Sequence, residues 1–331
     1  MPSTADSAAV TVIMAAHNAM PYLPQAVESI VNQRLTSWRL IIVDDASSDA
    51  SEAYLQSLRD PRIVVLRLPS NRGQGVARNR ALECCATQCV AVMDADDVSH
   101  PDRLAAQVEF LELNPLVGAV GTQFAYLGSQ GRTGFGSPLP CEHGAIYDSL
   151  LRGRHAIVNG TVCFRASLLR ECGGYATSPV GEDLDIYLRL AERSRLANLE
   201  GRYYFYRVHP GSTNATRLAD VQLQYSFVLH NARRRLAHLP EVAFETYQDR
   251  FQQTPWLRQI SSRLDVAARG LYRSGVADVL HGHPVTGYTR LGVSALMSPG
   301  LAIRRLARIA RPPWKRRRDT SPRREAARVT T

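Results

Sequence analysis

Val90-Ala-Val-Met93-Asp94-Ala-Asp96-Asp97-Val-Ser-His-Pro101 is the stretch on which the reading of this chain turns. Four apolar residues run straight into three carboxylates, and Pro101 opens an amphipathic segment. An apolar run of this length reads as a buried strand, and a proline near the first position suits a helix start. The strand therefore delivers Asp94, Asp96 and Asp97 to its carboxyl end, where open α/β sheets bind ligands. Carboxylates spaced as D-x-D suit Mg²⁺ or Mn²⁺, ions held through one or two carboxylates plus substrate phosphates. A solvated acidic turn would carry the same letters, so the rest of the chain has to decide.

The same grammar extends toward the N-terminus. Val10 to Met14 is a strand-length apolar run leading to Ala15-Ala-His17-Asn18, and from Pro24 the residues Val27, Ile30 and Val31 recur at helical spacing. Arg39 to Val43 reads as a second strand. It ends in Asp44-Asp45-Ala-Ser-Ser-Asp49, whose Ser and Asp residues suit an N-cap for a helix through Leu58. Ile63 to Leu68 is a third strand. Asn71-Arg-Gly73-Gln-Gly75-Val-Ala-Arg78-Asn79 then opens another helix, with Arg78 at its start, either facing a pyrophosphate or solvated. A dinucleotide fingerprint would need glycine where Arg78 stands, and no P-loop pattern occurs, so Gly73 and Gly75 are read as shaping a turn.

Beyond the acidic stretch, Pro101 to Leu113 reads as a helix and Val117 to Tyr126 as a strand. Gly128 to Pro140 has the composition of a surface loop, bordered by His143 and His155. Ala156 to Arg165 reads as a strand, followed by the turn Gly173-Gly-Tyr175. Gly181-Glu182-Asp183 opens a helix to about Arg193. Its two acids are either favoured there by the helix dipole or form a general base held at a helix start. Tyr203 to Val208 is a strand, and His209-Pro-Gly-Ser212 a turn. Alternating strands and helices with continuous apolar strands predict an α/β fold whose mainly parallel sheet is covered on both faces.

The chain has 331 residues, 45% of them hydrophobic, enough to bury a sizeable core. The net charge of +10 sits mostly at one end: from Leu301 onward eleven Lys and Arg face only Asp319 and Glu325. Six cysteines without a C-x-x-C or metal-ligand spacing are expected as reduced thiols in a cytosolic protein. Met1 to Ala9 has neither the basic nor the apolar region of a signal peptide, and no apolar run reaches the ~18 residues of a membrane span.

Five motifs in one order resemble the family 2 glycosyltransferases with the GT-A fold. They are Val12 to Asn18 with Ser29 to Gln33; Val43 to Asp49; Asn71 to Gly73 with Ala77 to Asn79; Met93 to Asp97 with Pro101; and Gly181 to Asp183 with Tyr206 to His209 and Ser212. One departure stands out, since Ala15-Ala16-His17 occupies a position where members often carry Pro-Thr-Tyr. The resemblance implies a nucleotide-diphosphate sugar as donor, expected to be a UDP-sugar. Ala15, Asn18, Asp45, Arg78 and Asp94 would lie against it, Asp45 accepting a hydrogen bond from the base. It also implies a divalent metal, Mn or Mg, on Asp96 and His209, and Asp183 as the base of an inverting transfer. The acceptor would be a glycan, a lipid-linked glycan or another hydroxyl, with Gly128 to Pro140 on its side.

Rival classes fit less well. A nucleotidylyltransferase would carry a Gly-rich basic loop after the first strand, and a non-catalytic nucleotide-sugar-binding module would not need Asp94, Asp96 and Asp183 together. No aromatic-basic platform for nucleic acid is present. The expected domains are residues 9–215 as the catalytic domain, divided at 125/126 into nucleotide-sugar and acceptor halves, a helical extension over 216–310, and a basic tail over 311–331. Leu218 to Leu239 and Glu241 to Phe251 read as helices. Two readings of the end stand open: a helical cap with a solvated tail, or a basic amphipathic helix on an anionic membrane surface, at the cytoplasmic face.

Overall fold

The computed structural model describes residues 8–128, 133–136, 138–177, 181–209, 218–252 and parts of 264–299. The first half of the chain runs β1 (Val10–Ala16), α1 (Leu23–Val31), β2 (Trp38–Asp44), α2 (Ser51–Ser57), β3 (Ile63–Arg67), α3 (Gln74–Glu83) and β4 (Cys89–Asp94). It continues through β5 (Val98–Ser99), α4 (Arg103–Leu113), β6 (Val117–Leu127), β7 (Thr133–Phe135), α5 (His143–Leu151), β8 (Cys163–Arg165), α6 (Ala166–Glu171), α7 (Glu182–Ala191) and β9 (Arg195–Arg207). Helices α8 (Leu218–Leu236), α9 (Phe244–Gln252) and α10 (Pro284–Met297) follow among the described residues.

The strands form one sheet in the order β3-β2-β1-β4-β8-β6-β9-β5, with β7 added on β6. Strands β1 to β4 are mutually parallel, as the continuous apolar runs require, because both of their faces are buried. Successive side chains go to opposite faces. Ile13, Ile41, Val43, Val90 and Val92 pack toward α3 and α7, while Val12, Met14, Leu40, Ile42 and Met93 pack toward α1 and α4.

Beyond these four strands, in a mainly parallel sheet, the pairing is mixed. Strand β8 runs antiparallel to both β4 and β6, and β6 and β9 are parallel. Only the last three residues of the expected strand over Ala156 to Arg165 form a strand, since Asn159–Thr161 forms a 3₁₀ turn. The cause is close approach: a Cβ on Gly160 would stand 2.0 Å from the Tyr204 hydroxyl and 2.8 Å from Asp94 Oδ2. The last strand is longer than expected, starting at Arg195. A register shift around Gln123 interrupts its pairing with β6 and hides its periodicity. Arg78 is the fifth residue of α3, not its start, because the helix begins at Gln74 after Gly73 with φ 88°. Helices α5 and α6 were not anticipated from the sequence.

Helix α8 packs into the core of the preceding α/β unit. Val228 and Ala232 of that helix are buried in the same cluster as Leu184, Tyr187 and Leu188 of α7. Among the described residues no helix is long and apolar enough to cross a membrane. The turn after His209, part of the Gly128 to Pro140 loop and the basic tail from Leu301 lie outside the described residues.

Gly75 has a packing reason rather than a cofactor: a Cβ there would meet the Ala176 carbonyl oxygen at 2.3 Å. Gly75→Ala should therefore destabilise the protein by about 1–3 kcal/mol. Gly144→Ala, with nothing within 4 Å of its added methyl, should leave stability unchanged or improved. Urea unfolding of both checks this, and equal effects would mean that α3 is not pressed against the 173–177 turn.

Candidate active site

Parallel pairing brings the carboxyl ends of three strands level. Ala15 stands opposite both Val43 and Asp94, and Ala16 opposite Asp44. The loops leaving these ends are tied to one another. Asn18, in the left-handed region at φ 47°, accepts from the Ser48 and Asp49 N–H groups at 2.8 and 3.2 Å. His17 Nδ1 is 2.7 Å from the Asp45 carbonyl oxygen. The buried Asp45 carboxylate accepts from the N–H groups of Arg72 at 2.7 Å and Gly73 at 2.8 Å. Asn18 and Asp45 thus knit three loops together, and Asp45 keeps lone pairs for a further donor. Ala15 contributes only its place in the strand.

Behind this edge lies the ion cluster. Arg78, 3% exposed, donates to Asp94 Oδ1 at 2.9 Å, to Glu182 Oε1 at 2.7 Å and to Gln74 Oε1 at 2.8 Å. Burial alone would depress the guanidinium's pKa, but the carboxylates of Asp94 and Glu182 outweigh it and hold the group charged. Asn159, with its amide oxygen turned toward Arg78, gives its NH₂ to the hydroxyls of Tyr187 and Tyr175. Burial raises the pKa of Asp94 and of Glu182, and Arg78 opposes the rise in each case. Arg78 therefore stands behind the acids, joining the end of β4 to the first turn of α7.

The other two acids of the stretch are divided by burial. Asp97 is 1% exposed, accepts from the Arg207 N–H at 2.6 Å, and is pushed far up by burial and by the neighbouring Asp96 and Asp94 charges. Asp96 faces outward, with its Oδ2 2.9 Å from His209 Nε2. Arg207 Nε donates to the Asp96 carbonyl at 2.7 Å, and the Tyr22 ring lies between its guanidinium, 4.7 Å away, and the His209 ring, 4.8 Å away. Asp96 and His209 are the pair that could hold a divalent ion. Among the described residues no three His, Cys, Asp or Glu side chains gather for a metal. Two protein ligands still fit Mg²⁺ or Mn²⁺, which take phosphate oxygens and water for the remainder.

Asp183 lies one residue beyond Glu182, in the first turn of α7. Burial raises its pKa, opposed by hydrogen bonds from the Leu184 N–H and the Tyr225 hydroxyl. A carboxyl so poised suits general-base work better than an exposed aspartate does.

The family model described as glycosyl transferase family 2 matches residues 11–173. A Bacillus subtilis protein named as a glycosyltransferase, EpsE, is 31% identical over 60% of this chain and 72% of its own length. This chain belongs to glycosyl transferase family 2. An Escherichia coli relative, the UDP-Glc:alpha-D-GlcNAc-diphosphoundecaprenol beta-1,3-glucosyltransferase WfaP, is 25% identical over 64% of this chain and 82% of that protein. Relatives named for succinoglycan and teichuronic acid biosynthesis, from Rhizobium meliloti and Bacillus subtilis, are matched over only 29% and 41% of their length. Among solved structures, Staphylococcus aureus TarS 1–349 with UDP-GlcNAc aligns over 85% of this chain and 87% of that chain, with a TM-score of 0.58 and 16% identity. The mannosyltransferase PcManGT of Pyrobaculum calidifontis, with GDP-Man and Mn²⁺, covers 92% of this chain and 81% of that chain, with a TM-score of 0.53 and 18% identity. The fold of this family 2 glycosyltransferase is accordingly the GT-A fold.

Several residues that build the site of this glycosyltransferase escaped the sequence reading. Asn159, Tyr204, Tyr22 and Tyr225 belong to no motif with its own spacing. Glu182 was visible only as a neighbour of Asp183, because its partner Arg78 is 104 residues away. Removing Arg78 would leave the buried Glu182 and the partly buried Asp94 without their cation. Arg78→Met should therefore lose about 3–5 kcal/mol of stability. Thermal and urea unfolding give the test, and a variant as stable as the parent would mean that the cluster does not depend on this arginine.

Proposed function

We propose that the protein is an inverting, metal-assisted glycosyltransferase that moves a sugar from a UDP-sugar to a hydroxyl of a glycan or lipid-linked glycan. The observation that carries the reading is Arg78, which fixes the D-x-D end of β4 and the acidic start of α7 in one buried cluster. Asp45, in the loop after β2, would accept from the base, with Asn18 and Ala15 shaping the same wall. Asp94 would meet the ribose or the sugar. Asp96 and His209 would hold the divalent ion against the diphosphate, where the ion supplies positive charge as the leaving group gains negative charge. Asp183 would take the proton of the acceptor hydroxyl while that oxygen attacks the anomeric carbon from the face opposite the leaving group. Such direct displacement inverts the anomer through an oxocarbenium-like transition state.

The donor class is supported by UDP-GlcNAc in the TarS structure and UDP-Glc in the name of WfaP, and the ion by Mn²⁺ in the PcManGT structure. Asp96→Asn should abolish Mn²⁺-dependent release of UDP from the productive donor. Asp183→Asn should retain donor binding within a few-fold while turnover falls by roughly 10²–10⁴. Full activity of Asp96→Asn, or of the parent in excess chelator, would remove the metal from the mechanism. Parallel loss of binding and turnover in Asp183→Asn would make that residue structural.

For the acceptor, a lipid-linked glycan is supported by the diphosphoundecaprenol acceptor in the name of WfaP. The basic segment from Leu301, known from sequence alone, would then meet an anionic membrane face. Its attraction is worth about 1 kcal/mol per basic residue near the surface. The full chain is expected to sediment with anionic but not neutral vesicles and to be released by high salt. Undiminished binding after removal of residues 301–331 would show that the tail is not the anchor.

A further inference from the structure

The matched family segment ends at residue 173, before both Asp183 and the helix that packs against it. We propose that Tyr225, on α8, is the positioning residue for Asp183: its hydroxyl fixes one carboxylate oxygen so that the other is left to receive the acceptor's proton. This rests on the role proposed above for Asp183.

The geometry is unequal at the two oxygens. Asp183 Oδ1 accepts from the Tyr225 hydroxyl at 3.0 Å and from the Leu184 N–H at 2.8 Å. Oδ2 has the same hydroxyl only at 3.3 Å. Two donors on Oδ1 fix the plane of the carboxylate and leave Oδ2 with acceptor capacity. The helix that carries Tyr225 is itself held in place. Gly181, at φ 77°, stands so close to α8 that a Cβ would meet Gln224 Cγ at 3.0 Å and Tyr225 Cδ1 at 3.1 Å. Val228 and Ala232, one and two turns further along, are buried in the core.

Asp183 and Tyr225 also line a small cleft with Arg154, His155 and Tyr187, holding about 10 Å³. That is space for about one water beside the carboxylate. The charged and titratable groups around the carboxylate come from several elements. Glu182 and Tyr187 share its helix, Arg78 comes from α3, Tyr175 from the turn before α7, and Arg154 and His155 from the segment after α5. Tyr225 comes from α8. Of these, Tyr225 is the side chain that hydrogen-bonds Asp183.

The sign of the effect follows from the donor. A hydroxyl that donates to a carboxylate favours its ionised form, so loss of the hydroxyl raises the carboxyl's pKa further. The base works ionised, so the acid limb of the pH profile moves upward. Tyr225→Phe keeps the ring and its packing and removes only the oxygen. With saturating donor, the acid limb of kcat should move up by about one pH unit, giving roughly a tenfold loss below the limb. Above the limb kcat should fall several-fold, because the carboxylate is no longer held in one plane, while donor KM and the melting temperature should be nearly unchanged. Asp183→Asn is measured alongside. If it is inactive while Tyr225→Phe keeps the parent's kcat and acid limb, or loses donor binding and stability along with activity, the positioning role is overturned. If Asp183→Asn retains full turnover, the base assignment fails first, and the inference fails with it.

Discussion

The buried Arg78 guanidinium, shared between Asp94 and Glu182, is the interaction on which the rest of the site depends. It joins the end of a central strand to the first turn of a helix that enters the fold about a hundred residues later. Neither carboxylate is stable there alone, since burial raises both toward their neutral forms. An arginine suits this place better than a lysine: its planar fork reaches Asp94, Glu182 and Gln74 at once. Such a cluster adds little net stability compared with an apolar core of the same shape, but breaking it on one side leaves a buried charge unmatched. In this protein that arrangement sets the position of the carboxyl end of β4 relative to the first turn of α7.

The acids of Asp94 to Asp97 take different tasks because the backbone gives them different surroundings. Asp97 turns inward, under Tyr204 and the Arg207 backbone, and fixes the start of the turn. Asp96 turns outward to His209, where both can meet a hydrated cation. Asp94 remains between them on Arg78. Gly160 lets the 3₁₀ turn pass close to this strand end, and the buried Arg103 donates to the Val92 and Gly160 carbonyls to lock that passage. The end of β4 and the first turn of α7 thus carry Asp94 and Glu182, while the loops after β1 and β2 are braced by Asn18 and Asp45.

Much of this was legible in the sequence where the signal is local. The apolar runs that end in Ala15, Asp44 and Asp94 place three strand ends together, because continuous apolar strands demand a sheet buried on both faces. Asp45, Asp96 and Asp183 stand out since each closes or opens an element. What was not legible depends on long-range approach. Nothing in Ala156 to Arg165 signals that Gly160 must turn against Tyr204, so the segment reads as one strand. Arg78 reads as a helix-start cation because its partner Glu182 is a hundred residues on, and only folding shows it turned inward. Tyr225 is one aromatic on an amphipathic helix until α8 is seen against α7.

The central claim is that Arg78 couples the carboxyl end of β4 to the start of α7, and a double-mutant cycle tests it most directly. Unfolding free energies of the parent, Arg78→Met, Glu182→Gln and the double variant should give a coupling of more than about 1 kcal/mol, as for residues sharing one buried ion network. Effects that add to within about 0.5 kcal/mol would contradict the claim, because additivity of that kind belongs to independent sites.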